Sequence, residues 1–162
     1  MNALRSPSSR LARFVLRHLT MRPLVLVLLI VAGAPAVVAA ESPLGSARHH
    51  VWSAFAQGDA AELKPILDSD GKTYVSLPGL SDEQGYFGAS QVYYVFRDIY
   101  ARVVCDDAKI ESAGKKDDVA YFRITWSYTR KDSGEKGQAV LLITLEGGSG
   151  SYVLTDVRSA RP

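Results

Sequence analysis

Halfway along this 162-residue chain the spacing of apolar residues changes, and that change limits the fold more than any other feature. From Ala89 they recur at Val92, Val95, Phe96, Ile99 and Val103, the roughly 3.6-residue period of a helix buried along one stripe. After Lys109 the period falls to two. Lys109–Ala113, Val119–Arg130, Gln138–Glu146 and Tyr152–Arg158 read as strands, joined by short Gly-containing segments of the hairpin type. A helical half followed by an antiparallel meander is an α+β layer arrangement, which excludes an all-helical bundle and a doubly wound sheet.

The helical half adds detail. Ser46–Gln57 carries Ala47, Val51, Ala54 and Phe55 on one face and stops at Gly58. Asp59 and Glu62 have capping-box spacing at the head of a short second helix, which Pro65 distorts. Lys72–Leu77 reads as a strand closed by Pro78-Gly79, and Ser81–Phe87 as a polar loop. The expected order is therefore α-α-β-α-β-β-β-β.

Charge is divided along the chain. Of 19 Lys+Arg, five precede residue 41, whereas all 17 acids follow residue 40, so residues 41–162 hold 14 bases and a formal charge of −3. A mildly acidic domain does not suit nucleic acid. The basic start, the apolar run Leu24–Ala32 and Val38-Ala39-Ala40 before Glu41 fit a signal peptide over residues 1–40 better than an uncleaved anchor, since Gly33 and Pro35 would weaken a span that is already short. The expectation is export to the periplasm or exterior, with no stable membrane association after cleavage, a tail at 41–45 and one domain at 46–162. Cys105 is the only cysteine, so an internal disulfide is excluded, and a small buried side chain is its expected role.

Ala54-Phe55-Ala56-Gln57-Gly58-Asp59-Ala60-Ala61-Glu62-Leu63, a helix-Gly-Asp-helix junction, together with Gly85–Val92 and the closing Ser151–Arg158, resembles the nuclear transport factor 2-like superfamily over about residues 46–158. Small exported bacterial members of undescribed function are the nearest in character. The resemblance implies a bent sheet wrapped around the long helix, with a pocket at the open end of a cone. One fold of this kind hosts many functions.

Alternation assigns the lining of that pocket. Ala120, Phe122, Ile124, Trp126 and Tyr128 share one face of their strand. Trp52, Tyr93 and Tyr100 would join them from the helices, and Leu142 and Leu154 from the last two strands. Such aromatic lining suits a small apolar or amphipathic ligand. Because Gln138–Glu146 is apolar on both faces, the outer sheet face is expected to form a homodimer.

Candidates for chemistry are few. His50 lies at the edge of the first helix's apolar stripe, and Asp156 shares a strand face with Tyr152 and Leu154 by alternation. Either could serve as a base, with a tyrosine such as Tyr93 as electrophilic donor, in a cofactor-free isomerase or lyase resembling ketosteroid isomerase. No position-by-position match to the acid/base set of that enzyme is present. His49 and Asp98 point to solvent, and two adjacent histidines without a third do not make a metal site. The leading expectation is an exported ligand-binding or protein-interaction module with no cofactor and no metal.

Overall fold

The structure is a computed structural model that describes residues 41–148 and 150–160. The described residues belong to one unit. The signal-peptide reading of residues 1–40 lies outside the described residues. No helix among them is long and apolar enough to cross a membrane.

Helix α1 (Pro43–Gln57) starts three residues before the periodicity suggests, because Ser42 caps it. The Ser42 side chain accepts from the Gly45 N–H at 3.1 Å, and Pro43 fits the first turn, where its missing N–H is not needed. Gly58 ends it in the left-handed conformation, φ 68°, donating its N–H to the Ala54 carbonyl. A 3-10 helix (Ala60–Ile66) comes next, tightened around Pro65 and capped by Asp59, whose carboxylate accepts from the Ala61 N–H at 2.8 Å. Glu62 does not complete a capping box, since its carboxylate is turned to His50 instead.

Strand β1 (Thr73–Ser76) pairs antiparallel with β2 (Gln84–Phe87), inside the segment that reads as a loop. Helix α2 (Ala89–Arg102) buries Val92, Phe96, Ile99 and Tyr100, then runs directly into β3 (Val103–Lys116). The meander is completed by β4 (Val119–Arg130), β5 (Lys136–Gly148) and β6 (Ser151–Ser159). Sheet order is β2-β1-β6-β5-β4-β3, with β1 parallel to β6 and every other pair antiparallel. The α+β expectation holds, with one strand more than the sequence pattern shows.

Alternation governs β4 as expected: Ala120, Phe122, Ile124, Trp126 and Tyr128 are buried, and their neighbours face out. Leu141, Ile143 and Leu145 continue that inner face on β5, against α1 and α2. The core is this layer between the concave sheet face and the helices.

Candidate functional site

Rings from both layers fill the interior. Trp126 on β4 meets Phe55 of α1 edge-on at 5.4 Å and Tyr100 of α2 at 6.0 Å, with Tyr128 beside it at 4.9 Å. Phe96 closes the cluster against Phe55 at 5.7 Å. Trp126 has no solvent-exposed surface, and Tyr100, Ile124, Tyr128 and Leu154 are all buried. These expected pocket-lining residues touch one another as core residues do.

Two polar atoms in this cluster, the Tyr100 hydroxyl and Trp126 Nε1, have no hydrogen-bond partner. Burial pushes the Tyr100 phenol well above its ordinary range, and the nearby Cys105 and Asp59 push it further. Burial also raises the Cys105 thiol, with the Trp126 N–H acting in the opposite sense by favouring a thiolate. The interior therefore keeps its titratable groups neutral, and none of them is a base at neutral pH.

The two candidate bases lie on different sides of the sheet. His50 Nδ1 sits 3.2 Å from Glu62 Oε2, tying α1 to the 3-10 helix in the helical layer. Asp156 is displaced by a bulge that alternation cannot reveal. Leu154 pairs with Leu145 but Asp156 pairs with Thr144, so Thr155 is an inserted residue that reverses the face of every residue after it in the strand. Directly opposed residues share a face, so Asp156 lies with Thr144 and Tyr74 on the outer side, away from Leu154. Arg158 grips both its oxygens, Nε donating to Oδ1 at 2.8 Å and an Nη donating to Oδ2. His50 and Asp156 are therefore not neighbours. Tyr93, the third candidate, stands half-buried at a cleft between the 3-10 helix and α2, with Lys64 Nζ 4.3 Å from its ring centre. Among the described residues no cluster of three or more His, Cys, Asp or Glu could hold a metal ion.

Leu142 also departs from the expected lining. It lies opposite Arg158 and Arg123 on the outer face and is 41% exposed. Around it the outer face presents Tyr121, 51% exposed, and Tyr86, 71% exposed, whose ring meets Tyr74 edge-on at 5.1 Å. Arg158 lies over Tyr74 at 5.6 Å. Glu111 accepts from Arg123 Nε at 3.1 Å and from the Thr125 hydroxyl, and these bonds, the hydroxyl first, hold its carboxyl below the usual range. The polar character of Ser81–Phe87 hides β2, and with it the roles of Tyr74 and Tyr86; the aromatic pair Tyr86-Phe87 is the available strand signal.

On the helical side, Trp52 and Phe122 do border open space, but between α1 and β3 rather than inside the cone. The Trp52 indole N–H donates to the Ala108 carbonyl at 2.8 Å, so the ring is fixed while 38% of the residue is exposed.

No family model and no curated protein matches this chain. Solved structures do. A DUF4783 family protein from Bacteroides ovatus matches 70% of this chain and 93% of its own at 14% identity, TM-score 0.57. A hypothetical protein of ketosteroid isomerase-like fold from Catenulispora acidiphila, in complex with trimethylamine, matches 74% and 86% at 13% identity, TM-score 0.57. A provisionally named calcium/calmodulin dependent protein kinase II association domain from Xanthomonas campestris matches 72% and 84% at 21% identity, TM-score 0.51. The described domain thus has the nuclear transport factor 2-like, ketosteroid isomerase-like fold.

Proposed function

We propose that this domain is an exported, non-catalytic interaction module that pairs with a second copy of itself through the outer face of its sheet. The observation that carries this reading is the outer face itself, where Tyr86, Tyr121 and Leu142 are exposed beside charges already matched in place. Asp156 is held by Arg158 and Glu111 by Arg123, so the charges beside Leu142 are already matched, while Lys116, Glu146 and Lys136 stand toward the ends of the face. A two-fold interface needs one patch that complements itself, and apolar and aromatic side chains around two internal ion pairs supply one. The Xanthomonas neighbour, described as an association domain, supports the reading, and so does an interior packed with side chains. Export rests on the Arg-rich start, the apolar run and Val38-Ala39-Ala40.

Sedimentation tests the pairing. The unmutated protein is expected to be dimeric at roughly tens of micromolar, as a standard-sized interface of about 800 Å² per partner would give. Leu142→Lys, which sets a third cation between Arg123 and Arg158, is expected to yield folded monomers. A monomeric unmutated protein at that concentration overturns the proposal.

A further inference from the structure

We infer that the groove between α1 and β3 binds an amphipathic carboxylate, with its charge between Arg48 and Lys115 and its apolar body running toward Trp52. Two adjoining clefts, of about 340 and 380 Å³, share Gly45 and Arg48 and so form one groove. Their sizes fall in the range of small-molecule sites, about 300–1,000 Å³. The first has Leu44 and Phe122 as an apolar floor, with Arg48 rising from α1 on one side and Lys115 from β3 on the other. No acid lines it. Among the described residues neither cation is in an ion pair, although Lys115 lies over the Tyr152 ring at 5.6 Å.

The second cleft supplies the apolar path through Ile110 and Trp52, with Glu41 its one acid. Gly45 stands where the two clefts meet, with the Glu41 side chain and the Ser42 hydroxyl close beside it. Trp52 is a large exposed ring, fixed by its bond to Ala108 and flanked by His49 at 6.0 Å, a rigid apolar wall at low entropic cost to a ligand. Two unpaired cations beside an apolar floor select an anion that carries an alkyl or aryl body, and select against a neutral or cationic amphiphile. The groove lies on the helical side of the sheet and is independent of the outer face.

The test uses protein expressed from the full sequence, with decanoate as probe below its micellar concentration. Trp52 is exposed and Trp126 is not, so binding is expected to change tryptophan emission in the unmutated protein and not in Trp52→Phe. Decanol and decyltrimethylammonium are expected to bind at least about tenfold more weakly, as are Arg48→Glu and Lys115→Glu with decanoate, because each loses a charge-assisted contact. Both side chains are exposed, so these variants keep the fold, which far-UV circular dichroism checks. Leu142→Lys is expected to bind decanoate unchanged, which separates this site from self-association. Equal binding of decanol and decanoate, unchanged affinity in both charge-reversed variants, or no binding of decanoate overturns the inference.

Discussion

Cys105 and Tyr100 are the titrating side chains that the interior holds neutral, and burial is the first cause in both. Ionisation there would place charge beside Phe55, Phe96 and Trp126, with the Trp126 N–H and Lys131 in partial compensation at Cys105. A folded-state pKa above the unfolded value means that the unfolded chain loses its proton first as pH rises. Stability is then unaffected below the unfolded thiol's range, about 8.5, and falls as pH climbs past it, with Tyr100 adding a second loss above about 10. Urea melts between pH 7 and 10 are expected to show this decline, and Cys105→Ala to flatten its first part. Alkylation of Cys105 by iodoacetamide is expected to be slower at pH 8 than that of a free-thiol peptide and still rising beyond pH 9; a plateau by pH 8 would contradict the assignment. Cys105 is half-buried, short of the buried side chain that its isolation in the sequence suggests. Its neighbours are not legible there, because Trp126 and Tyr100 reach it from other elements and no local pattern records such a meeting.

Within the elements, glycines opposite tyrosines carry consequences that residue identity alone does not. Gly137 pairs with Tyr128 and Gly114 with Tyr121, and in each pair a Cβ on the glycine would strike the ring. The two cases should differ in energy. Tyr128 is 7% exposed, wedged against Trp126, so Gly137→Ala has to displace a packed ring and is expected to cost roughly 1–3 kcal/mol. Tyr121 is on the open outer face and can swing aside, so Gly114→Ala in the monomeric Leu142→Lys background is expected to stay within about 0.5 kcal/mol. Chemical denaturation of both variants measures the contrast, and equal costs would show that burial of the ring does not decide it. The bulge at Thr155 is sustained by a buried bond: Thr73 donates its hydroxyl to the Leu154 carbonyl at 2.7 Å. Thr73→Val keeps the shape and leaves that carbonyl without the donor, an expected loss of about 1–3 kcal/mol in the same assay. Strand identity is readable because β4 alternates cleanly. The face of Asp156 is not, since one inserted residue inverts every later side chain and nothing in Leu154-Thr155-Asp156-Val157 marks the insertion.

At the scale of the whole domain, the sheet joins its earliest strands to its last one. Strands β1 and β2 join the rest of the sheet at β6, through the parallel pairs Tyr74–Asp156, Val75–Val157 and Ser76–Arg158 and the Thr73–Leu154 bond. A two-stranded hairpin of four-residue strands is not stable alone, so β1 and β2 depend on β6 being in place. Such a pairing between distant segments leaves no trace in periodicity, which is why the meander is readable from the sequence and the sheet order is not. The interior strands β4 and β5 stand differently, hydrogen-bonded on both sides and backed by Trp126, Leu141 and Ile143. Local opening should therefore release β1 and β2 at lower free energy than the centre. Native-state hydrogen exchange at low denaturant is expected to show the Thr73–Ser76 and Gln84–Phe87 amides exchanging before those of Phe122–Trp126 and Leu141–Ile143. Val157→Asp, which places a charge at a fully buried position opposite Ile143 and Val75, is expected to erase protection of β1 and β2 first, at denaturant concentrations where β4 remains protected. Simultaneous loss in all four strands would mean that the domain opens as a single cooperative unit and that the attachment through β6 is not its weakest seam.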